Sequence, residues 1–303
     1  MNDNNRMLLR YVAEGDIRKA QMQAKIILNS ITAAKDEKFK TNCLAKLNNV
    51  EPQFIELPFN MQGLLVAEDV SDFPEQRFLI RESEEAVIEK ILKTRKASLK
   101  LKEMGVHYTS SLLLSGEPGT GKTELARYIA HKADLPFVYL KFSGLISSAL
   151  GKTQQNIGLV FDYARRSPCV LCLDEIDAIG MKRGGRDDVA EMSRVTIALM
   201  QELDRLPNDV ILIGTTNRED QLDAALFRRF SFLHRVRTLD TQAAQSLCEK
   251  FFGSVGYTAS KEEIEDMLYR IDHNYTPSNV TKACTDHIVS WVIEQQEKED
   301  PDA

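Results

Sequence analysis

The amino-acid sequence predicts an α/β fold in which a doubly wound parallel sheet is covered by helices on both faces. Four short apolar runs, at residues 112–114, 137–140, 170–173 and 210–213, alternate with segments of helical periodicity. Strands that are buried on both faces have this continuous apolar character, and their alternation with helices is typical of parallel sheets. The last third of the chain keeps helical periodicity without such a run, which predicts a separate helical unit there.

The N-terminal region is predicted to form a helical hairpin that is separate from the sheet. Apolar residues recur at helical spacing between residues 6 and 28, and the pattern continues less regularly to residue 47. Residues 48–78 contain three prolines and no sustained period, so we interpret them as a connector that wraps on the following domain. We therefore expect a helical adaptor at residues 1–60 and an α/β domain, including the connector, at residues 61–238.

The C-terminal helical unit is predicted at residues 239–303. Helical periodicity covers residues 243–252, 264–271 and 280–292. Ser260 and Glu263 stand before the second of these segments with the spacing of a capping box at a helix N-terminus. The tail from Glu294 is polar and acidic, and we expect it to be disordered.

Composition restricts the class of protein. The chain has 303 residues, of which 43% are hydrophobic and 28% charged, which is the balance of a globular protein with two or three domains. No segment approaches the roughly 20 apolar residues that cross a bilayer, so we expect a cytoplasmic protein without membrane contact. The net charge of -6 disfavours sequence-independent nucleic-acid binding. The lysine-rich helical stretch around residues 90–102 is the only feature that supports such binding.

The cysteine pattern favours reduced thiols over a disulfide framework, because the five cysteines are odd in number and scattered. Cys169 and Cys172 form a CxxC pair that overlaps an apolar run, and no second ligand pair follows at zinc-site spacing. We therefore favour core packing over metal binding for this pair.

A glycine-rich motif follows the first of the apolar runs. Its sequence, GEPGTGKT, satisfies the GxxxxGK[ST] pattern, and a helical segment begins directly after it. Glycines allow backbone N–H groups to surround phosphates, and the N-terminus of the following helix adds partial positive charge. Lys122 would supply a charge to the β- and γ-phosphates of ATP, and the Thr123 hydroxyl would coordinate Mg²⁺. The predicted nucleotide-binding residues are Gly116, Glu117, Pro118, Gly119, Thr120, Gly121, Lys122, Thr123 and Glu124.

Two acidic residues follow the apolar run 170–173. Asp174 is predicted to hold Mg²⁺ together with Thr123, and Glu175 to act as the general base on the attacking water. Adjacent carboxylates after a strand are often ordinary loop residues, but their position downstream of the glycine-rich motif favours the catalytic interpretation. The sequence therefore predicts a P-loop nucleoside triphosphatase that uses ATP and Mg²⁺.

Further motifs follow in a fixed order, with DEIDA at residues 174–178 and GTTNR at residues 214–218. Together with the glycine-rich motif they resemble the AAA family within the AAA+ ATPases, over residues 80–290. The resemblance implies the AAA+ large domain, followed by a small helical lid. It also implies that Asn217 orients the attacking water from within the same subunit.

The segment 222–230, LDAALFRRF, resembles the part of the AAA family that carries arginine fingers. Its adjacent Arg228 and Arg229 are most similar to the spastin and katanin branch. An arginine finger presents a fixed cation to the γ-phosphate in the transition state. In this family the finger serves the neighbouring subunit, so the resemblance implies a homo-oligomeric ring that is expected to be hexameric. The sequence does not rank the two arginines.

Two segments depart from the pattern of many AAA+ proteins. Residues 147–152 match the central pore loop, and Ala149 stands where translocating relatives carry an aromatic residue. This departure favours limited remodelling or gating over processive threading. Residues 276–279 lie where other AAA+ groups place a sensor-2 arginine; the absence of that arginine agrees with the AAA family itself, and no sensor-2 residue is assigned. A second GKT, at residues 151–153, lacks the upstream glycines and receives no nucleotide role.

The function expected from the sequence is ATP hydrolysis by an oligomeric ring, coupled to remodelling or gating of a protein partner that the N-terminal hairpin binds. Two alternatives stay open. One is a nucleotide-dependent switch that recruits or regulates another enzyme, which a hydrolysis-independent output would identify. The other is a nucleic-acid loader or clamp, which salt-sensitive DNA binding would identify.

Overall fold

The computed structural model describes residues 3–13, 65–141, 152–179, 186–271 and 274–299, with shorter stretches between residues 20 and 43. Helix α1, Asp3–Ala13, covers the first part of the predicted hairpin, and helical backbone recurs at residues 26–28. The Gln23 side-chain amide donates a hydrogen bond of 3.2 Å to Asn4 Oδ1, so these two N-terminal stretches contact each other. The link between them lies outside the described residues, as does Ala149.

In the described part of the chain, six strands form one sheet in the order β1-β3-β4-β5-β2-β6. Their bounds are β1 Val66–Glu68, β2 Ser110–Ser115, β3 Phe137–Lys141, β4 Val170–Asp174, β5 Ile211–Thr216 and β6 Phe232–Arg235. β1 pairs antiparallel with β3, and every other neighbouring pair is parallel. The four predicted strands and the parallel character of the sheet are therefore confirmed.

The two edge strands, β1 and β6, are absent from the sequence-based prediction. β1 is three residues long and lies in the segment that the sequence analysis assigns to the connector. β6 alternates half-buried and exposed residues, so it has no continuous apolar run. Edge strands need less apolar surface than central strands, because solvent reaches part of each.

Helices cover both faces of the sheet, which confirms the doubly wound fold. They are α2 Glu82–Glu103, α3 Lys122–Ala133, α4 Lys152–Arg166, α5 Arg186–Leu203 and the short α6 Ala224–Phe227. Phe161 of α4 and Leu199 of α5 lie in one core cluster, and Ile91 of α2 and Ile129 of α3 lie in the other. Each of these four side chains is fully buried. No helix within the described residues has the length and apolar character that a membrane crossing requires.

The CxxC pair contributes to both core clusters. Cys169 packs in the cluster under α4 and α5, whereas Cys172 packs in the cluster under α2 and α3. The two thiols therefore lie on opposite faces of the sheet and cannot bind one metal ion together.

In the described residues after the sheet, three helices enclose a small core of their own. They are α7 Thr241–Ser254, α8 Lys261–Arg270 and α9 Pro277–Glu299. Leu247, Leu268 and Val280 are buried in this core. The predicted capping box is present, because the Ser260 N–H donates to Glu263 Oε2 at 2.6 Å and the Glu263 N–H donates to Ser260 Oγ at 3.1 Å.

The expectation of a disordered tail is wrong for residues 294–299, since α9 continues to Glu299. This stretch is rich in Glu, Gln and Lys, which have high intrinsic helix propensity, so it extends an existing helix without an apolar face. Residues 300–303 lie outside the described part of the chain.

Two hydrogen bonds between described residues join the C-terminal helices to the α/β domain and its N-terminal connector. The Ser278 N–H, at the start of α9, donates a hydrogen bond of 3.1 Å to the carbonyl of Gly119 in the glycine-rich loop. The Arg77 guanidinium donates to Ser254 Oγ, at the end of α7, at 2.7 Å. The segment 276–279, for which no sensor-2 residue is assigned, thus lies directly on the loop.

Candidate nucleotide-binding site

The glycine-rich loop lies at the carboxyl end of β2, where α3 begins. Gly116 has φ +147°, and a Cβ atom at this position would lie 2.2 Å from the carbonyl oxygen of Val236. Only glycine fits here without movement of the neighbouring strand end. Gly121 has φ +91° and is the N-cap of α3, so the free N–H groups of the first helical turn face the loop. This geometry is suited to an anion such as a phosphate.

Lys122 is the first residue of α3, and its side chain folds back over the loop. Its ammonium donates hydrogen bonds to the carbonyl oxygens of Gly116 at 3.0 Å and Glu117 at 2.8 Å. The residue is 7% exposed. This burial lowers the pKa of Lys122, against the charges of Asp174 and Asp177, which raise it. A buried cation that donates to neutral carbonyl oxygens is stabilised further when an anionic ligand binds beside it.

Asp174 ends β4 beside the start of α3. Its Oδ1 accepts hydrogen bonds from the Thr123 hydroxyl at 3.3 Å and from the Thr215 hydroxyl at the end of β5. Its Oδ2 accepts a hydrogen bond of 2.7 Å from the Tyr139 hydroxyl on β3. The structure therefore brings the predicted pair Thr123 and Asp174 together, and it adds Tyr139 and Thr215, which the sequence analysis missed.

The donor set of Thr123 and Asp174 fits a Mg²⁺ ion. Mg²⁺ is a hard cation that prefers oxygen ligands and is commonly held by one or two carboxylates together with substrate phosphates. One hydroxyl and one carboxylate oxygen lie 3.3 Å apart at the edge of the glycine-rich loop, so both can face an ion that also contacts a phosphate.

Glu175 follows the strand in a left-handed backbone conformation, with φ +54°. Its N–H donates to Thr215 Oγ1 at 3.2 Å, which fixes this turn to the end of β5. A non-glycine residue at positive φ carries backbone strain, and such residues cluster at functional sites. The strained turn directs the chain out of the sheet immediately after Asp174.

Asn217 follows β5 and is exposed at the same edge of the sheet. The residues on either side of it are fixed: the Thr216 hydroxyl donates to Asp177 Oδ1 at 2.8 Å, and the Arg218 N–H donates to Thr216 Oγ1 at 2.9 Å. Because β4 and β5 are parallel neighbours, Asn217 and Glu175 both lie beyond their carboxyl ends.

The other predicted loop residues have different surroundings. The Thr120 hydroxyl donates to the carbonyl of Glu117 at 2.8 Å, inside the loop. Glu124 accepts a hydrogen bond of 2.7 Å from Arg127, whose guanidinium also donates to Glu68 on β1 at 2.6 Å. Glu68 is the main cause of the raised pKa of Arg127. The Glu124 side chain is thus part of an ion-pair group that links α3 to β1.

Arg228 and Arg229 differ in their contacts. The Arg229 guanidinium donates to both carboxylate oxygens of Asp204, each at 3.1 Å, and to the carbonyl of Ala225 at 2.8 Å. Arg228, at the end of α6, is exposed, and within the described residues its side chain has no recorded hydrogen bond or ion pair. Among the hydrogen bonds and ion pairs of the described residues, none joins either arginine to the glycine-rich loop of its own chain.

The comparison with protein families decides the assignment. Residues 112–238 match the family described as "ATPase family associated with various cellular activities (AAA)". Residues 112–238 thus carry the sequence features of this AAA ATPase family, and they contain the whole candidate site. The predicted resemblance to the AAA family is thereby confirmed for these residues.

Several curated AAA proteins are similar in sequence. Peroxisomal ATPase PEX6 of Candida glabrata is 33% identical over 66% of this chain and 21% of its own length. The uncharacterized AAA family ATPase y4kL of Sinorhizobium fredii is 37% identical over 65% of this chain and 59% of its length. The proteasome-activating nucleotidase of Methanosphaerula palustris is 31% identical over 78% of this chain and 60% of its length. The chain thus spans less than two thirds of each of these relatives.

Solved structures support the fold independently. The AAA domain of FIGL-1 is similar with a TM-score of 0.58 and 21% sequence identity, over 78% of this chain and 80% of that domain. The same domain in complex with ADP has a TM-score of 0.57. At this identity the likeness is evidence for the fold alone.

Proposed function

We propose that this AAA protein binds ATP with Mg²⁺ at the loop of residues 116–123 and hydrolyses it. The observation that carries the proposal is the convergence of Lys122, Thr123 and Asp174 at one glycine-rich loop. A cation and two oxygen donors of the kind that Mg²⁺ prefers are then within reach of a single phosphate chain. The family that residues 112–238 match is described as one of ATPases, which supports an adenine nucleotide as the ligand.

Each residue has a separate task in the proposed reaction. The loop N–H groups and Lys122 bind the phosphates, and Thr123 and Asp174 would hold Mg²⁺. When bound, Mg²⁺ neutralises charge that develops on the phosphate oxygens. Glu175 accepts a proton from the attacking water, and Asn217 orients that water by a hydrogen bond.

The arginine finger in this proposal is Arg228, which acts on the nucleotide of a neighbouring copy. Arg229 is held within its own chain by Asp204 and the Ala225 carbonyl, so it would have to break an ion pair to reach a neighbour. Arg228 is exposed and has no such contact among the described residues. A finger that acts between copies requires a head-to-tail interface, and repetition of that interface closes a ring, which we propose is a hexamer.

The proposed role of hydrolysis is to remodel or gate a protein partner in the cytoplasm. Helix α1 carries Met7, Leu9 and Val12 with 43%, 55% and 60% of their surfaces exposed, which is apolar area available for protein contact. The name of one relative, the proteasome-activating nucleotidase, describes an action on a protein assembly. We propose that residues 1–60 recruit the partner.

The nucleic-acid alternative loses support from the charges on α2. Lys93 forms an ion pair of 2.6 Å with Glu89, and Lys102 forms one of 2.9 Å with Asp209. These two cations are already partly neutralised within the chain, which reduces the counterion release that nucleic-acid binding could gain. A nucleotide switch without coupled work remains the second candidate.

The test uses purified protein with ATP and Mg²⁺ and measures phosphate release together with nucleotide affinity. Glu175→Gln should retain nucleotide affinity and lose turnover by roughly 10² or more. Lys122→Ala should weaken nucleotide affinity itself, because it removes the cation at the loop. Turnover in Glu175→Gln that equals the unaltered protein, or unchanged affinity in Lys122→Ala, would contradict the proposal.

A further inference from the structure

The carboxylate of Asp174 accepts hydrogen bonds from strands on both of its sides. Tyr139 on β3 donates to Oδ2 at 2.7 Å, and Thr215 on β5 donates to Oδ1. A carboxylate accepts about four hydrogen bonds through its two oxygens, so these two bonds leave further lone pairs available toward Thr123.

The strand register explains why these residues reach Asp174. β4 lies between β3 and β5, with Lys141 opposite Asp174 on one side and Gly214 opposite Leu173 on the other. Thr215 is therefore level with Asp174. Tyr139 lies two residues before the end of β3, and its long side chain spans the remaining distance along the strands.

Packing restricts both hydroxyls to this orientation. The Tyr139 ring is 6.3 Å from the Phe137 ring, and the Arg127 guanidinium lies 6.0 Å from its centre. Thr215 is 1% exposed, and its hydroxyl oxygen also accepts the Glu175 N–H at 3.2 Å. A donor that is already fixed loses little side-chain entropy when it holds its acceptor.

We propose that Tyr139 and Thr215 are positioning residues that orient Asp174 for Mg²⁺-nucleotide, an inference that rests on the proposed function. Hydrogen bonds from neighbouring groups fix the rotamer of a metal-binding carboxylate and raise the affinity of the site for its ion. Thr215 has a second effect, since it joins Asp174 to the backbone of Glu175, so the metal ligand and the general base are held by one hydroxyl.

The test measures how binding of a non-hydrolysable ATP analogue depends on Mg²⁺ concentration, beside its affinity in EDTA. Tyr139→Phe and Thr215→Val each remove one hydroxyl, and each should raise the Mg²⁺ concentration for half-maximal binding by roughly tenfold or more. Thr215→Ser keeps the hydroxyl and should behave as the unaltered protein. Tyr163→Phe is the matched control, because Tyr163 lies on α4 and packs in the core cluster that contains Cys169.

The EDTA measurement separates positioning from general disruption. If Tyr139→Phe and Thr215→Val leave affinity in EDTA unchanged while the Mg²⁺ requirement rises, the inference stands. An unchanged Mg²⁺ requirement in both variants would overturn the inference. An equal loss of analogue affinity with Mg²⁺ and in EDTA would also overturn it, while the proposed function survives in both cases. Absence of any analogue binding by the unaltered protein would instead refute the proposed function, and the inference with it.

Discussion

Replacing Gly116 with alanine should destabilise the protein by roughly 1.5–4.5 kcal/mol, because the added methyl group meets backbone atoms. Its Cβ would lie 2.2 Å from the Val236 carbonyl oxygen, which is more than 1 Å inside an ordinary carbon–oxygen contact of about 3.3 Å. Relief of this clash moves the end of β6 away from the end of β2. That movement strains the hydrogen bond of 2.7 Å from the Val236 N–H to the Ser115 carbonyl.

The magnitude follows from two separable terms. Loss of that hydrogen bond costs about 0.5–1.5 kcal/mol. An alanine at φ +147° adds backbone strain of about 1–3 kcal/mol. Gly256 is the matched control for strain alone, because it has φ +73° and no heavy atom within 4 Å of an added Cβ. Gly253→Ala, in the last turn of α7 with no heavy atom within 4 Å of an added Cβ, should instead stabilise the protein by about 0.5–1 kcal/mol.

The assay is urea unfolding followed by far-ultraviolet circular dichroism, with all three alanine variants measured beside the unaltered protein. Gly116→Ala should also lower nucleotide affinity, because the same displacement opens the glycine-rich loop. A Gly116→Ala protein that is no less stable than Gly256→Ala would refute the contact between the loop and the end of β6.

Three further predictions concern stability and domain organisation. In urea unfolding, Glu175→Gly should be about 1 kcal/mol more stable than Glu175→Ala, because glycine removes the backbone strain at φ +54°. A glycine variant that is less stable than the alanine variant would contradict this. Arg229→Ala should lower the free energy of unfolding by about 0.5–1 kcal/mol, because Arg229 forms an ion pair with Asp204. Arg228→Ala should lower it by less than about 0.5 kcal/mol. Equal effects of the two substitutions would argue against different surroundings for the two arginines. Deletion of residues 1–60 should leave nucleotide affinity unchanged, because the first strand of the sheet, β1, begins only after these residues. Loss of folding in the shortened protein would show that residues 1–60 stabilise the core instead.

The central strands were predictable because they are buried on both faces and therefore consist of apolar residues in sequence. β1 and β6 escaped prediction for the opposite reason, since their residues are partly exposed and β6 carries His234 and Arg235. Their positions are set by pairing with β3 and β2, which are distant in sequence. Local pattern contains no information about such pairing.

The predictability of the site follows the same division. The spacing from Gly116 to Thr123 fixes the loop, because one turn and one helix N-terminus bring those residues together. Tyr139 and Thr215 could not be found in this way, since each reaches Asp174 only through the order of the sheet. A tyrosine within the apolar run 137–140 was the available signal, and aromatic residues are too common in strands for it to be specific.

The relative roles of Arg228 and Arg229 depend on a contact between distant parts of the chain. Asp204, which holds Arg229, lies 25 residues earlier in the sequence, at the end of α5. Two adjacent arginines have the same charge and similar local sequence, so the sequence alone cannot separate them. Their distinct surroundings in the fold support Arg228 as the residue that reaches a neighbouring copy.

The measurement that tests the central claim most directly is ATP turnover in mixtures of Glu175→Gln and Arg228→Ala proteins. Each variant alone should be nearly inactive, one for lack of the general base and the other for lack of the finger. In a mixed ring, a subunit that keeps Glu175 can face a neighbour that keeps Arg228, so turnover should rise above the sum of the separate activities. Mixed assemblies that form, as judged by co-purification of differently tagged chains, yet recover no turnover at any ratio would contradict a site that is completed between copies.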